Sequence, residues 1–372
     1  MRAQSEYNGA VTPAWVSSDG PANDVALSTR ARLARNIKGI PFPTRARDAD
    51  LRRTADMVLD ALRDAESALR RIGKLRVIRP SHLSRYDRLA LVDARIASRQ
   101  QVDGGNWRPV VLNETNTLSL MVNEEDHLRI QCILPGLQPM SALQTAQEFD
   151  SFLAAKIGYA RADNYGYLTA SLANVGTGLR LSVMLHLAGL AFLAEAVPVL
   201  EAAAELRTSV RGLFGEGTDA FGDIYQVSNE TTIGFTEKEI ASRVRAAAEH
   251  LISREREARR KLVEQRKNEL IEAVEAAKAR VMEARALSGQ EAMECISILR
   301  LGAGLGLGTG ISTRAFNDLV VSIGLGISAS VHGSRVKPVE TVGSDVKRAK
   351  LVREKLIEEQ EAVQLAFPEA EQ

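Results

Sequence analysis

The chain has 372 residues, of which 45% are hydrophobic and 26% charged, and its formal net charge is +1. This length predicts two or three domains with a sizeable core. The balanced charge argues against a general nucleic-acid binder, which normally carries a basic excess. Two distant cysteines, Cys132 and Cys295, form neither a disulfide framework nor a CxxC metal pair, and therefore predict a reducing compartment.

Nothing in the sequence predicts a targeting or membrane segment. The first residues lack the apolar centre of a signal peptide, so we expect a cytoplasmic protein. The longest apolar stretch, residues 179–200, contains His186, Glu195 and Pro198, which a transmembrane helix tolerates poorly. We therefore predict that this stretch is a buried helix and that the protein has no membrane partner.

The pattern of apolar residues predicts mixed helices and strands. Residues 1–24 are an irregular lead-in, and helical spacing over 48–71 indicates one amphipathic helix. Strands are predicted at 75–78, 110–112, 118–122 and 127–134, a helix or two around 83–98, a helix over 142–157, and one or two helices over 181–206. Because the order lacks regular βαβ spacing, it predicts an α+β fold with a largely antiparallel sheet.

The composition changes after Phe235. Thr236 and Glu239 fit a capping box, and the following charged residues predict a solvated helix to about residue 287. Two glycine-rich segments, 301–310 and 324–326, satisfy neither GxGxxG nor a Walker A loop. We expect helix ends and turns there.

Two short segments near the N-terminal half suggest chemistry. In an extended segment, Arg30 and Arg32 point to the same side, which suits two phosphate oxygens. Three adjacent carboxylates, residues 124–126, follow an apolar strand and precede Arg129. A surface turn would also hold these carboxylates, so the triplet alone does not establish a site.

Two further segments contain glycines beside charged residues. Residues 174–180 are predicted to be a turn that opens an apolar helix, whose backbone N–H groups would face an anion. In 211–217, glycines hold Arg211 and Glu216 on a constrained loop. Together the arginines suit a nucleoside triphosphate with its magnesium, and the carboxylates suit a cationic acceptor such as an arginine guanidinium.

These segments also resemble a known family. STRARLARN, NEEDHLRIQ, GYLT…NVGTGLR…SVM and RGLFGEG resemble the catalytic domain of the phosphagen (guanidino) kinases, and their order and the C-terminal region resemble the bacterial protein-arginine kinase (McsB-type) branch. The resemblance runs from about residue 25 to 372. It implies a central antiparallel sheet flanked by helices, ATP with Mg²⁺ as phosphoryl donor, and an α-helical C-terminal domain. The implied divisions are a lead-in (1–24), a catalytic domain (25–255) and a helical C-terminal domain (256–372).

The resemblance also implies roles for individual residues. Glu125 would align the acceptor guanidinium and take up its proton, Glu216 would hold it from a second side, and Ser171 would lie beside it. No side chain is assigned to a metal. The residues implied in ATP binding are Ser28, Thr29, Arg30, Ala31, Arg32, Arg95, Arg129, Arg180, Leu181, Ser182, Val183, Met184, Arg211, Gly212, Leu213, Phe214, Gly215 and Glu216.

Three positions depart from the family pattern. Ser171 stands where the family has a reactive cysteine, and Arg95 where it has a nucleotide-contacting histidine. The phosphoarginine-binding motif RDxxRA of the branch is here SDVKRA and lacks its first arginine. The residues implied in allosteric phosphoarginine binding are Ser344, Asp345, Lys347, Arg348 and Ala349.

Three functions remain open from the sequence. An active ATP:protein-arginine kinase is favoured, since only 27 residues precede the STRAR segment, whereas kinases of free guanidino compounds carry a helical domain there. The alternatives are a weakened homologue that regulates by binding ATP or phosphoarginine, and a kinase of a free guanidino compound. By resemblance, the partners are protein substrates with exposed arginines, an activator protein, a heat-shock repressor and a Clp unfoldase–protease, in a stress response. We also expect a homodimer.

Overall fold

An eight-stranded sheet organises the part of the chain that the computed structural model describes, residues 13–212, 220–307, 311–331 and 338–366. Its strand order is β2-β3-β4-β5-β1-β8-β10-β9, and each neighbouring pair is antiparallel. The strands, including a small separate hairpin of β6 and β7, are β1 (Ala26–Arg35), β2 (Leu75–Ile78), β3 (Val110–Asn113), β4 (Leu118–Val122), β5 (Leu128–Pro135), β6 (Arg161–Ala162), β7 (Gly166–Tyr167), β8 (Leu179–His186), β9 (Thr208–Gly212) and β10 (Ile224–Asn229). The predicted α+β fold with an antiparallel sheet is confirmed.

Helices flank this sheet and form the C-terminal region. The α-helices of the described residues are α1 (Ala14–Ser17), α2 (Asp48–Ala61), α3 (Ala65–Ala68), α4 (Arg85–Asp93), α5 (Arg99–Asp103), α6 (Pro139–Ala154), α7 (Ala188–Phe192), α8 (Ala196–Ala204), α9 (Glu237–Gln265), α10 (Lys267–Glu283), α11 (Gly289–Gly304), α12 (Thr313–Val331) and α13 (Pro338–Ala366). Among these helices, none combines the length and the hydropathy needed to cross a membrane. The predicted capping box is present: the Thr236 hydroxyl accepts from the Glu239 N–H, and the Glu239 carboxylate accepts from the Thr236 N–H.

Alternation along the strands gives the sheet two different faces. On one face, Ala31 and Leu33 of β1 and Leu181 and Val183 of β8 pack against α2, α6, α8 and α9, for example on Phe149. This cluster is the first core. Because successive side chains of a strand point to opposite faces, the even-numbered residues of β8, and those of β1 from Ser28 onward, lie on the other side of the sheet.

The opposite face is covered at its two ends. A second core joins Leu27, Met184 and Ile224 of the sheet to α1 and to the C-terminal helices, including Phe316 of α12. A third core packs Leu91 of α4 against β3 and β4. Between these two cores the sheet presents polar and charged residues, and the candidate site lies on this part of the sheet.

Several sequence predictions of local structure are wrong. Residues 179–186 form a buried central strand, not a helix. Their apolar run is long enough for either element, and the neighbouring strands β1 and β10 supply hydrogen-bond partners on its two sides. Residues 174–180 therefore open a strand. The predicted helix over 48–71 is two helices, and residues 324–326 lie inside α12 instead of at a turn. Around 83–98, α4 ends at Asp93 and α5 begins at Arg99.

A buried ion pair ties the first core to the central strands. The Arg35 guanidinium donates to the Asp150 carboxylate at 3.0 and 2.8 Å, and to the carbonyls of Ala34 and Thr177 at 2.9 Å. Its side chain is 1% exposed and stacks on the Tyr167 ring at 3.6 Å. Arg35 thus connects α6 to the turn that precedes β8.

We expect Arg35→Leu to lower the free energy of unfolding by about 3–5 kcal/mol, because it leaves the Asp150 carboxylate buried without its cation. Urea denaturation measures this. The exposed pair Arg63–Asp60 supplies the control, since Arg63→Leu is expected to cost about 0–1 kcal/mol. Equal costs for the two variants would contradict a structural role for the buried pair.

Candidate active site

Five arginines lie on the polar part of the sheet. Arg30 and Arg32 of β1, Arg129 of β5, Arg180 of β8 and Arg211 of β9 occupy strand positions that alternate with residues of the first core. Arg32 is paired directly with Arg180 across β1 and β8. The sequence predicted a shared side for Arg30 and Arg32 and named all five arginines for phosphate binding, and the sheet places the five on one face.

Polar neighbours on this face orient two of the arginines. The Arg30 guanidinium donates to the Gln226 side-chain oxygen at 3.0 Å, and Arg180 donates to the Ser228 hydroxyl at 3.4 Å. Both partners come from β10, which lies beside β8 in the sheet. Neutral amide and hydroxyl partners fix the side chains without cancelling their charge.

The arginines repel one another. Burial, followed by the charges of Arg95, Arg129 and Arg180, lowers the pKa of Arg30 to about 9. Burial and the charges of Arg30, Arg129 and Arg180 also hold the pKa of Arg32 well below its usual value, with Glu124 opposing. An anion that entered this region would relieve the repulsion, so the cluster favours a polyanionic ligand.

Arg95 extends the cluster from the α4–α5 connection. Its backbone is in the left-handed region (φ 60°), and its carbonyl accepts from the Gln131 side chain of β5 at 2.7 Å. Burial lowers the pKa of Arg95 to about 10, with Asp93 opposing. The charge of Arg95 is one of the causes that lower the pKa of Arg30, so Arg95 adds to the positive charge of this region.

The three adjacent carboxylates between β4 and β5 have different surroundings. Glu124 accepts from Arg129 at 2.6 Å, from the Ser98 hydroxyl, and from the Glu125 N–H at 2.9 Å. Burial raises the pKa of Glu124, but Arg129 and these hydrogen bonds outweigh it and hold the pKa below its ordinary value. Glu124 is thus an ionised anchor for Arg129.

Asp126 is buried and holds the neighbouring backbone. Its carboxylate accepts from the Asn36 amide and from the Ala170 N–H, both at 2.6 Å. Burial raises the pKa of Asp126, and the nearby charges of Glu125 and Glu124 act in the same direction. The carboxylate of the half-buried Glu125 accepts no hydrogen bond from the described residues, which leaves it available to a ligand.

A cavity of ≈ 190 Å³ brings part of this set together, whereas Arg30, Arg95 and Arg211 do not line it. Arginines of three strands line one part, the carboxylates of 124–126 another, and Ser171 with its neighbours a third. The lining residues are Arg32, Ala34, Glu124, Glu125, Asp126, Arg129, Ser171, Ala173, Asn174, Gly178 and Arg180. A single cavity therefore combines a cationic wall with an unpaired carboxylate.

Glycines shape the segment that brings Ser171 to this cavity. Gly178 has a φ of +65°, and a Cβ there would lie 2.5 Å from Arg35 and 2.6 Å from the Ala34 carbonyl oxygen. Ser171 precedes a short 3-10 helix, Leu172–Asn174, and its carbonyl accepts from the Thr169 hydroxyl at 2.8 Å and the Asn174 N–H at 3.0 Å. Gly178 thus permits the chain to pass close to β1 before β8 begins.

Other predicted nucleotide-binding residues support the sheet with their side chains. Ala31, Leu181 and Val183 point into the first core, and Met184 points into the second. Ser28, Thr29 and Ser182 are buried, and the Thr29 hydroxyl donates to the Gly136 carbonyl at 2.7 Å. Their side chains do not line the cavity. Gly212 ends β9, whereas Leu213, Phe214, Gly215 and Glu216 lie outside the described residues.

The predicted phosphoarginine motif lies on α13, away from the cavity lining. Arg348 is buried, and its guanidinium donates to Asp345 at 2.6 Å and to the Leu287 carbonyl at 2.8 Å. Ala349 belongs to the second core, Lys347 is exposed, and Ser344 is half-buried. These contacts connect α13 to the segment between α10 and α11.

Sequence reasoning missed the supporting residues of the site. Glu124, Asp126, Asn36, Ser98 and Gln226 hold charged groups or backbone in place. Glu124 and Asp126 stood in the predicted segment as two of its three adjacent carboxylates, but their individual roles depend on Arg129, Asn36 and the Ala170 N–H. Asn36, Ser98 and Gln226 are distant in sequence and carried no local signal.

Comparisons with known proteins agree with this geometry. Residues 57–258 match the family model of ATP:guanido phosphotransferase, C-terminal catalytic domain, and residues 267–365 match that of the protein-arginine kinase McsB C-terminal domain. The chain is 40% identical to a protein-arginine kinase of Moorella thermoacetica over 92% of this chain and 97% of that protein. It is 37% identical to one of Halothermothrix orenii over 92% and 96% of the two chains.

Solved structures agree on the fold. A crystal structure of lombricine kinase superimposes with a TM-score of 0.55 at 22% identity, over 66% of this chain and 71% of that one. At this identity the likeness concerns the fold alone. The family matches, which extend over most of the chain, show more: this chain belongs to the ATP:guanido phosphotransferase family of kinases, and within it to the protein-arginine kinases.

Proposed function

We propose that this kinase transfers the terminal phosphoryl group of ATP to the guanidinium group of arginine residues in proteins. The observation that carries the proposal is the cavity in which Arg32, Arg129 and Arg180 face the same space as the Glu125 carboxylate, which accepts no hydrogen bond from the described residues. The cations suit the phosphates of the donor, and the carboxylate suits a cationic acceptor. The relatives' name, protein-arginine kinase, supports a protein acceptor.

The cationic wall would bind and orient the triphosphate. Phosphoryl transfer depends mostly on positioning and on neutralising charge at the transferring group. Arg129, itself held by Glu124, has a fixed direction, and Arg30 and Arg180 are fixed by partners on β10. Such preorganised guanidinium groups stabilise developing negative charge without reorganising during the reaction.

The carboxylates around the cavity fit a magnesium ion that arrives bound to the nucleotide. The described residues contain no cluster of three side chains that could hold a metal. Glu124 and Asp126 are already occupied by Arg129, Asn36 and the Ala170 N–H. Magnesium commonly binds substrate phosphates and retains several waters, so it needs few protein ligands. When bound, it would neutralise phosphate charge.

Glu125 would act on the acceptor. A carboxylate can accept hydrogen bonds from a guanidinium and direct one nitrogen toward the terminal phosphorus. As the N–P bond forms and the bond to ADP breaks, the nitrogen loses a proton, which Glu125 would take. We propose that Glu216 holds the guanidinium from a second side and that Ser171 lies beside it, as the family resemblance implies.

We propose a catalytic domain of residues 25–255 and a C-terminal domain of 256–372. Along α9, Ala258 is the last residue of the first core, and Leu262 belongs to the second core. We further propose that the Ser344–Ala349 segment binds phosphoarginine as an allosteric signal, although Arg348 is engaged within the chain. We also propose that the protein is a cytoplasmic homodimer that acts in a stress response. Its partners would be an activator, a heat-shock repressor and a Clp unfoldase–protease.

Incubation with ATP, Mg²⁺ and an arginine-rich protein, followed by detection of acid-labile phosphoarginine, tests the proposed function. Free arginine serves as a second acceptor. Phosphoarginine in the protein supports the proposal, and phosphorylation of free arginine alone favours a kinase of small guanidino compounds. Binding of ATP without transfer to either acceptor would instead favour a regulatory protein.

In the same assay, Glu125→Ala is expected to reduce transfer by about 10²–10⁴-fold, because the acceptor loses its acid–base group. ATP affinity, measured by calorimetry, is expected to stay nearly unchanged, since Glu125 does not contact the phosphates. Glu114→Ala, an exposed acid outside the cavity, is the control. Activity of Glu125→Ala within a few-fold of wild type would remove Glu125 from the mechanism.

Arg180→Ala is expected to weaken ATP binding or slow transfer by about 10–100-fold, since a hydrogen bond to a charged group contributes about 1.5–3 kcal/mol. Arg180→Lys is expected to restore only part of the loss, because a point charge cannot make a two-pronged contact. The exposed Arg245→Ala is the matched control. Complete rescue by lysine would show that Arg180 supplies background charge alone, and Arg211 can be tested in the same way.

Ser171→Cys tests whether a thiolate beside the acceptor aids the reaction. If it does, turnover relative to wild type rises between pH 6 and 9, as the thiol passes through its pKa and gains negative charge. Burial raises the pKa of Cys132 to about 12, so that native thiol stays protonated over this range. An unchanged rate across this range in a folded variant would indicate a repacked pocket.

A further inference from the structure

Large apolar side chains are exposed on the segment that lines part of the cavity and on the segments packed against it. Leu172 lies between Ser171 and Ala173, which both line the cavity, yet its own side chain is 87% exposed. Tyr165 on the β6–β7 turn is 62% exposed, and Ile233 after β10 is 52% exposed. We call these three residues, Tyr165, Leu172 and Ile233, the apolar rim.

The three segments that carry the rim pack on one another through Gly176. The Tyr167 N–H donates to the Gly176 carbonyl at 2.8 Å, and a Cβ at Gly166 would lie 2.5 Å from the same oxygen. A Cβ at Gly176 would lie 2.9 Å from the Ile233 side chain. The Thr232 hydroxyl donates to the carbonyls of Ala173 and Val175. The rim residues therefore belong to one local surface.

Strongly exposed large apolar side chains are concentrated on the rim. Among the described residues, four large apolar side chains are more than half exposed, and three of them form the rim. The fourth, Val197, lies on α8, outside the cavity lining. Single exposed apolar residues are normal on protein surfaces, whereas a group beside a functional cavity indicates a binding surface.

We propose that the apolar rim binds apolar side chains next to the acceptor arginine in an extended polypeptide segment. The inference rests on the proposed function. An arginine that reaches Glu125 through the cavity brings its own backbone to the mouth, where Leu172 lies. Neighbouring side chains of that segment must then contact the rim, and burial of apolar surface stabilises the contact. The rim would thus select acceptor arginines by their flanking residues.

Two fluorescent peptides test this inference, each with one arginine, flanked by leucines in one and by serines in the other. By fluorescence anisotropy, wild type is expected to bind the leucine peptide about tenfold more tightly, the effect of burying one or two apolar side chains. Leu172→Ser and Ile233→Ser are each expected to remove most of this preference. Val197→Ser, an equally exposed apolar position on α8, is expected to keep it.

Equal affinity of wild type for the two peptides, or a preference retained in both rim variants, would overturn the inference. Phosphoarginine detection on the same peptides separates this failure from failure of the proposed function. If both peptides are phosphorylated and both bind with equal affinity, the kinase assignment stands and the proposed role of the rim is rejected. A rim-dependent binding preference without phosphoarginine on either peptide supports the rim and contradicts the proposed protein-arginine transfer.

Discussion

Mutual repulsion among arginines on one face of the sheet is the constraint on which the rest of the site depends. Burial, followed by the charges of neighbouring arginines that include Arg129 and Arg180, lowers the pKa of Arg30 and Arg32, and Glu124 balances only part of this positive charge. Holding these like charges close together costs electrostatic free energy, which the rest of the fold must offset. The first core beneath the strands and the neutral partners on β10 supply that support, so the positive charge remains available to a polyanion.

The acidic turn between β4 and β5 holds three adjacent carboxylates close to the arginines. These carboxylates would repel in isolation, but Arg129 compensates the charge of Glu124, and Asp126 is held in place by hydrogen bonds from the Asn36 amide and the Ala170 N–H. Glu125 alone is left facing the cavity without a hydrogen-bond partner among the described residues. The two ends of the triplet therefore hold the middle carboxylate beside the cationic wall, which is the separation of roles that transfer from an anion to a cation requires.

Much of this arrangement could be predicted from the sequence, and the exceptions have physical reasons. The strands at 75–78 and 118–122, the capping box at Thr236 and the shared side of Arg30 and Arg32 follow from local periodicity and propensity. Residues 179–186 were predicted to be helical because an apolar run carries no period once both faces are buried. The partners Gln226 and Ser98 depend on strand pairing and loop packing across long sequence separations, which no local pattern reveals.

A crystal structure with Mg²⁺, a non-hydrolysable ATP analogue and an arginine peptide tests the central claim most directly, namely that one cavity holds both donor phosphate and acceptor. The account predicts a terminal phosphate in contact with Arg32, Arg129 and Arg180, and a peptide guanidinium within hydrogen-bonding distance of Glu125. A triphosphate bound away from these arginines, or a guanidinium beyond the reach of Glu125, would contradict it.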